Sequence, residues 1–296
     1  MINQKKFSAG QLILHIVFIL LCACYILPFI LVVSVSFTDE SVIIQEGYKL
    51  FPTKFSTAAY EMIFNNPTQV INSYRTTIIF TAVATFLAIL VMGIMAYPMS
   101  RRNFKFGKPL AFYVLFTMLF SGGMVPSYLL ITRYLHLKNN IWVYILPGLI
   151  SAYNLIVIRT NYKSLPEELI EAAKLDGASE IFICFKIVMP LCKPVLASIA
   201  FLFLVSKWND WNTAMLYIDD PSLYSLQYML QKILNEIQFL RQLAQAGMAS
   251  MEQMKAIPSE SFRYAMAMVA AGPVLIVFPF FQKYFAKGML IGGVKG

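Results

Sequence analysis

Charge is scarce in this sequence. Asp, Glu, Lys and Arg make up 13% of its 296 residues, against about 25% in an ordinary soluble domain. With 58% apolar residues, a water-soluble fold would expose too much greasy surface, so composition excludes that class. The same apolar richness excludes disorder, because disordered chains are poor in such residues. Fourteen glycines in this length exclude a collagen repeat, and four cysteines exclude a disulfide-stapled scaffold. No Cys/His spacing resembles a zinc site, so no metal is expected, and His15 and His136 stand alone. No G-x-x-x-x-G-K-[ST] phosphate loop occurs; Gly107-Lys108 lacks the rest of the pattern. No His-rich, paired-carboxylate or nucleophile motif supports a membrane enzyme.

What the chain does have is long apolar runs, the mark of an all-α integral membrane protein. Six fit the ~20 residues that cross a bilayer: roughly Leu12–Val35, Thr76–Ala96, Leu110–Ile131, Ile141–Ile158, Val195–Ile218 and Tyr264–Phe281. They imply a single transmembrane domain over 1–296. The first run follows Lys5 and Lys6, and Leu21-Cys22-Ala23-Cys24 faintly resembles a lipoprotein cleavage box. It continues well past a typical signal core, so an uncleaved span is expected. The net charge of +9 would suit nucleic acid, but the cations flank apolar runs, which points to topology instead. Positive-inside counting puts both termini in the cytoplasm, most sharply through Arg101, Arg102, Lys105 and Lys108 in one short loop. Two long outside loops follow, about Ser36–Arg75 and Asp219–Arg263. The first holds Tyr48, Phe51, Phe55 and Tyr60, and the second a helical run near Leu226–Leu243. Met248, Met251 and Met254 recur at three-residue spacing, which reads as a packed face.

Between the fourth and fifth runs lies a cytoplasmic loop, about 159–194. Ser164 and Glu167 have the spacing of a capping box, which predicts a helix from Leu165 to Leu175. Asp176-Gly177 stops it. Ser179 then caps a second helix, Glu180 to Met189, which Pro190 and Pro194 separate from the fifth run. Ile181, Phe182, Ile183, Phe185, Ile187 and Val188 load this helix with apolar surface. Either the face folds back on the membrane ends, or it docks into a groove on a cytoplasmic partner.

Here the residues resemble a known family. Glu171-Ala172-Ala173, then Gly177, then Ile187-Val188-Met189-Pro190 reproduces the EAA loop of ABC importer permeases, with Met189 where Leu is usual. The chain resembles the second permease subunit of the maltose-type carbohydrate-uptake class, in its LplC/YtcP-like subgroup. Supporting stretches are Phe120–Pro126, Lys207–Trp211 and the tail from Gln282 to Gly296. The resemblance implies a type I importer fold with six transmembrane helices, a cytoplasmic coupling helix and a bacterial plasma-membrane location. It implies four kinds of partner: a second homologous permease, two ATPase subunits or a shared one, an extracellular binding lipoprotein, and a carbohydrate. No cofactor would be bound by this chain, with ATP and Mg on the partner ATPase, and no nucleic acid is involved. Coupling to that ATPase falls to Glu171, Ala172, Ala173, Asp176, Gly177, Ile187 and Pro190. The subgroup points to oligosaccharides, either uronate-containing ones or complex plant or host glycans.

Charged residues within membrane spans are functional candidates. Lys207 falls near mid-span, with Asp210 at i+3 within pairing reach, Asn209 between them, and Trp208 and Trp211 as flat faces for sugar C–H groups. This run either faces the translocation path or ties helices together. Gly122, Gly123 and Pro126 interrupt the third run, either as a bend that shapes an outer gate or as close packing on the partner permease. A stand-alone secondary transporter or channel is the competing function. It would explain the spans and the buried charges but not the EAA spacing.

Overall fold

The computed structural model describes residues 9–246 and 260–293. Lys5, Lys6, Met248, Met251, Met254, Lys295 and Gly296 lie outside them. Within the described residues the architecture is helical; its one strand-like feature is an isolated antiparallel bridge between Thr38 and Phe55. The chain divides into two compact units, Met1–Pro67 with Leu230–Gly272 and Thr68–Met229 with Pro273–Gly296.

In the first unit, helix Ala9–Ser36 has 28 residues and reaches about 42 Å, longer than the ~30 Å hydrocarbon core. Most of its side chains are exposed, as suits a helix solvated by lipid. The segment that follows, predicted as an outside loop, is not an open loop. Asp39 caps helix Glu40–Glu46, its carboxylate accepting from the Ser41 N–H at 3.0 Å. Phe37 stacks on Phe55 and Tyr60, with ring centroids 5.4 and 4.8 Å away. The buried Glu40 carboxylate accepts from the Glu260 N–H, the Ser261 N–H and the Ser261 hydroxyl, each at 3.0 Å. That places negative charge at the N-terminus of helix Glu260–Gly293, where the helix dipole favours it.

The second unit is organised by helix Pro67–Ser100, 34 residues long and extended at both ends beyond the predicted run. Its buried face is rich in Thr and Ala, with Phe80, Met92 and Tyr97 among the larger side chains. Thr77 accepts from the Leu226 N–H at 2.8 Å, Thr76 donates to the Ser222 carbonyl at 3.3 Å, and Phe80 stacks on Tyr144 at 4.3 Å. Helix Leu226–Gln245 forms where the sequence predicts it.

The described residues do not run as six unbroken helices. Among the described residues three helices are long and apolar enough to cross a membrane: Gly10–Ser36, Pro67–Ser100 and Glu260–Tyr284. Two bent pairs raise this to five if each counts as one crossing. The run 110–131 is two helices, Gly107–Leu119 and Met124–Tyr134, at 111°. The run 141–158 is cut into Trp142–Ile145 and Ala152–Lys163, because Pro147 lacks an N–H and Gly148 sits at φ +74°. The run 195–218 stops at Trp208 and restarts as Asn212–Tyr217.

Candidate functional site

The predicted coupling loop folds as a two-helix elbow. Its first helix is Glu167–Leu175, shorter than predicted. Ser164 does not cap it: the Ser164 hydroxyl donates to the Asn161 carbonyl at 2.7 Å, closing the preceding helix instead. The stop at Gly177 has the Schellman pattern. Gly177 donates to the Lys174 carbonyl at 3.0 Å and Ala178 to the Ala173 carbonyl at 2.9 Å. Gly177 lies at φ +79° with open space where a Cβ would point, so conformation rather than crowding requires glycine here. Ser179 then caps Glu180–Phe182 as predicted, accepting from the Phe182 N–H at 3.3 Å.

Pro190 does not end this second helix. Helical structure continues through a π-turn, Ile183–Val188, into Met189–Leu191. Pro190 cannot donate to the carbonyl four residues back, and the wider π-turn just before it absorbs that missing bond. The chain turns at buried Cys192 instead, by 79°, into helix Lys193–Trp208. Ile170, Ile183 and Val188 point inward. Glu171, Ala172, Asp176 and Gly177 are exposed, Ala173, Ile187 and Pro190 half-buried. Leu175 is 90% and Ile181 73% exposed, a large apolar cost for a segment with no cover of its own.

The elbow is also clamped to the end of helix Pro67–Ser100. The Tyr97 hydroxyl donates to Glu180 at 2.5 Å, and the Glu180 carboxylate pairs with Lys174. The Lys174 ammonium, then the Tyr97 hydroxyl, hold the Glu180 carboxyl below the usual carboxylate range. Arg101 lies over the Tyr97 ring at 5.1 Å, and Arg102 pairs with Glu167 at 3.1 Å. A Cβ on Gly93 would come within 2.9 Å of the Met189 Cε, so Gly93 lets the elbow approach closely. Sequence reasoning missed Gly93 and Tyr97; an isolated glycine in an apolar run is the signal that marks such an approach.

The two broken runs, 141–158 and 195–218, meet at a cavity of about 530 Å³. Ser151, Asn154, Ser206, Lys207, Asn209, Asp210, Trp211 and Asn212 line it with Gly148, Leu202 and Phe203. Lys207 and Asp210 do not form the predicted pair. The Lys207 ammonium donates to the Tyr144 carbonyl at 2.7 Å and the Pro147 carbonyl at 3.3 Å. These carbonyls are released by the break at Pro147–Gly148, and a cation is their natural partner. Asp210 instead accepts from the Thr213 N–H at 3.0 Å and hydroxyl at 2.7 Å. The i+3 pairing fails because the helix ends at Trp208. Trp208 is buried away from the cavity, while Asn209 and Trp211 are exposed at it. Ser151 and Asn154, also unforeseen, lie just past the Gly148 break.

Gly122 and Gly123 lie in the 111° break and Pro126 in the first turn of the helix after it, all three exposed. Gly123, at φ +86° and ψ 176°, is in a region open essentially to glycine alone. Its N–H donates to the Ser121 hydroxyl at 3.2 Å and its carbonyl accepts from the Ser127 hydroxyl at 2.8 Å.

A family model described as "Binding-protein-dependent transport system inner membrane component" matches residues 89–291. The chain belongs to this family. Protein LplC of Bacillus subtilis is 40% identical to this permease over 93% of this chain and 90% of its own. The Bacillus subtilis polygalacturonan/rhamnogalacturonan transport system permease protein YtcP is 38% identical over 95% of each. A solved chain of a bacterial ABC transporter involved in import of the acidic polysaccharide alginate superposes with TM-score 0.77. It is 27% identical, over 95% of this chain and 100% of that one. This permease is therefore a membrane-embedded subunit of an ABC importer, and its family role is transport rather than catalysis.

Proposed function

We propose that this permease takes up oligosaccharides, uronate-bearing ones among them, as the second of two paired permeases fed by an extracellular binding protein. The polar cavity at the two helix breaks carries this reading. It offers hydroxyl, amide and carboxylate groups beside the exposed face of Trp211, the mix that sugar hydroxyls and C–H faces need. The names of YtcP and of the alginate importer support an acidic substrate. Six crossings with both termini cytoplasmic complete the topology, the fourth being the pair of short helices on either side of Gly148.

The elbow docks in a separate ATPase, which supplies all ATP chemistry. Nucleotide-driven closure of that ATPase moves Glu167–Leu191. The motion passes along the chain at Cys192 to helix Lys193–Trp208, and through Tyr97 and Gly93 to helix Pro67–Ser100. The assembled complex tests this. Gly177→Pro and Glu171→Lys are expected to leave the subunit in the membrane while sugar-stimulated ATPase falls at least tenfold. Stimulation at the wild-type level in both variants overturns the coupling role. Solute uptake by the isolated chain on an ion gradient alone overturns the importer reading and favours a secondary transporter.

A further inference from the structure

One cation cluster reaches beyond the elbow clamp: Arg101 and Arg102 belong to that clamp, but Lys108, Arg159 and Lys163 are used by neither the elbow nor the sugar cavity. A cleft of about 210 Å³ opens where helix Pro67–Ser100 ends and helix Gly107–Leu119 begins. Arg101, Arg102, Lys108, Arg159 and Lys163 line it, and none of its lining residues is acidic. Arg159 is fixed there by its Nε–H donating to the Met99 carbonyl at 2.8 Å, which leaves its terminal nitrogens for another partner. Arg102 is already neutralised by Glu167. Among the described residues neither Lys108 nor Lys163 has an ion pair; Glu167 and Glu168 line the adjoining cleft that Lys163 shares, and the excess of positive charge in this one lies with Arg159 and Lys108.

We propose that this cleft binds the phosphate of an anionic phospholipid headgroup, bridged by Arg159, Lys108 and Lys163. Basic pockets at the cytoplasmic ends of membrane helices recognise headgroups in this way. What favours a lipid over an acidic patch on the ATPase is the helix that starts at the cleft. From Gly107 it presents Leu110, Phe112, Tyr113 and Phe116 outward. An acyl chain can therefore lie along the apolar face while its phosphate sits among the cations. General positive-inside bias requires cations on this side but no cleft that gathers them.

The test uses the assembled complex in detergent, with native mass spectrometry counting retained phosphatidylglycerol against phosphatidylcholine. Wild type should retain phosphatidylglycerol selectively. Lys108→Gln with Lys163→Gln should weaken retention by more than tenfold, at about fivefold per cation. Lys108→Arg with Lys163→Arg should preserve it, which separates charge from folding. Lys105→Gln removes an exposed cation of the same loop that does not line the cleft, and should change nothing. Inorganic phosphate that stabilises wild type but not the Gln pair, without lipid selectivity, moves the source of the phosphate to solution and overturns the lipid assignment. Equal retention of both lipids, or full retention by the Gln pair, overturns the site. So does selectivity that is absent from the assembled complex and appears only when the ATPase is stripped from it, which would give the cleft to the ATPase. The readout is binding rather than transport, so failure here leaves the importer reading untouched.

Discussion

The two bent helix pairs among the described residues are built by opposite means. The 111° break after Leu119 is made by Gly123 and held by Ser121 and Ser127, all within a few residues, with its side chains exposed. The 79° turn at Cys192 is buried. Its approach is held by Tyr97 on Glu180, 83 residues away in sequence, and by Met189 against Gly93. The first conformation is dictated locally, so a disturbance there should stay local. The second is dictated by packing, so a disturbance should spread to helix Pro67–Ser100. A turn of the second kind is suited to carrying force between elements.

The largest test of this contrast is Gly93→Leu. Met189 Cε and the Tyr162 hydroxyl, 2.9 and 3.3 Å from an added Cβ, leave no room for a branched side chain. Overpacking should cost about 3 kcal/mol. Hydrogen exchange should speed up in both the elbow and helix Pro67–Ser100, and the sugar-stimulated ATPase of the complex should fall. Faster exchange confined to one element would break the idea of a shared joint.

Gly123→Ala comes next, at about 2 kcal/mol, because the cost is backbone conformation alone. A Cβ there meets no atom within 4 Å. Exchange should change in 116–130 and not in 180–196. Loss of protection in the elbow would show that the two turns are coupled after all.

The same contrast explains what the sequence could and could not tell. Features written in a few neighbouring residues were legible: the Gly177 stop, the Ser179 cap with the apolar helix after it, and the interruption at Gly122-Gly123. The first span was legible because lipid asks only for length and hydropathy. Three features were not legible, one because its partner lies far along the chain and two because a local backbone irregularity leaves the hydropathy unchanged. Pro190 looked like a terminator, but the π-turn before it carries the helix on to Cys192. Lys207 looked like a partner for Asp210, but carbonyls freed at Pro147–Gly148 take it. The run Ile141–Ile158 looked continuous because hydropathy does not register one Pro-Gly step. The cavity lies where the last two errors meet, since broken backbone frees the polar groups that line it.

Tyr97→Phe is gentler, removing one hydrogen bond to a largely exposed carboxylate while Lys174 stays. It should cost about 1 kcal/mol and reduce coupling a few-fold, read as ATP consumed per sugar transported, with assembly unchanged. An unchanged ratio would leave the chain at Cys192 and the Gly93–Met189 contact as the routes for the motion.

The smallest effect is on pH, and its sign follows from Glu180. Its carboxyl is held down by Lys174 first and Tyr97 second. A carboxyl lowered in the folded state adds stability that is present above its unfolded value, about 4.3. That contribution fades as pH falls through the lower folded value. The clamp should therefore be constant from about pH 6 to 8 and loosen only in acid below about 4. The Gly123 break, held by serines and backbone, has no titrating group and should not respond. Pulsed exchange on one sample compares the two segments at each pH. An acid loss at 180–191 without one at 120–127 supports the contrast between a packed and a local turn. Parallel loss in both segments would mean that acid unfolds the chain as a whole and that Glu180 has no separate role.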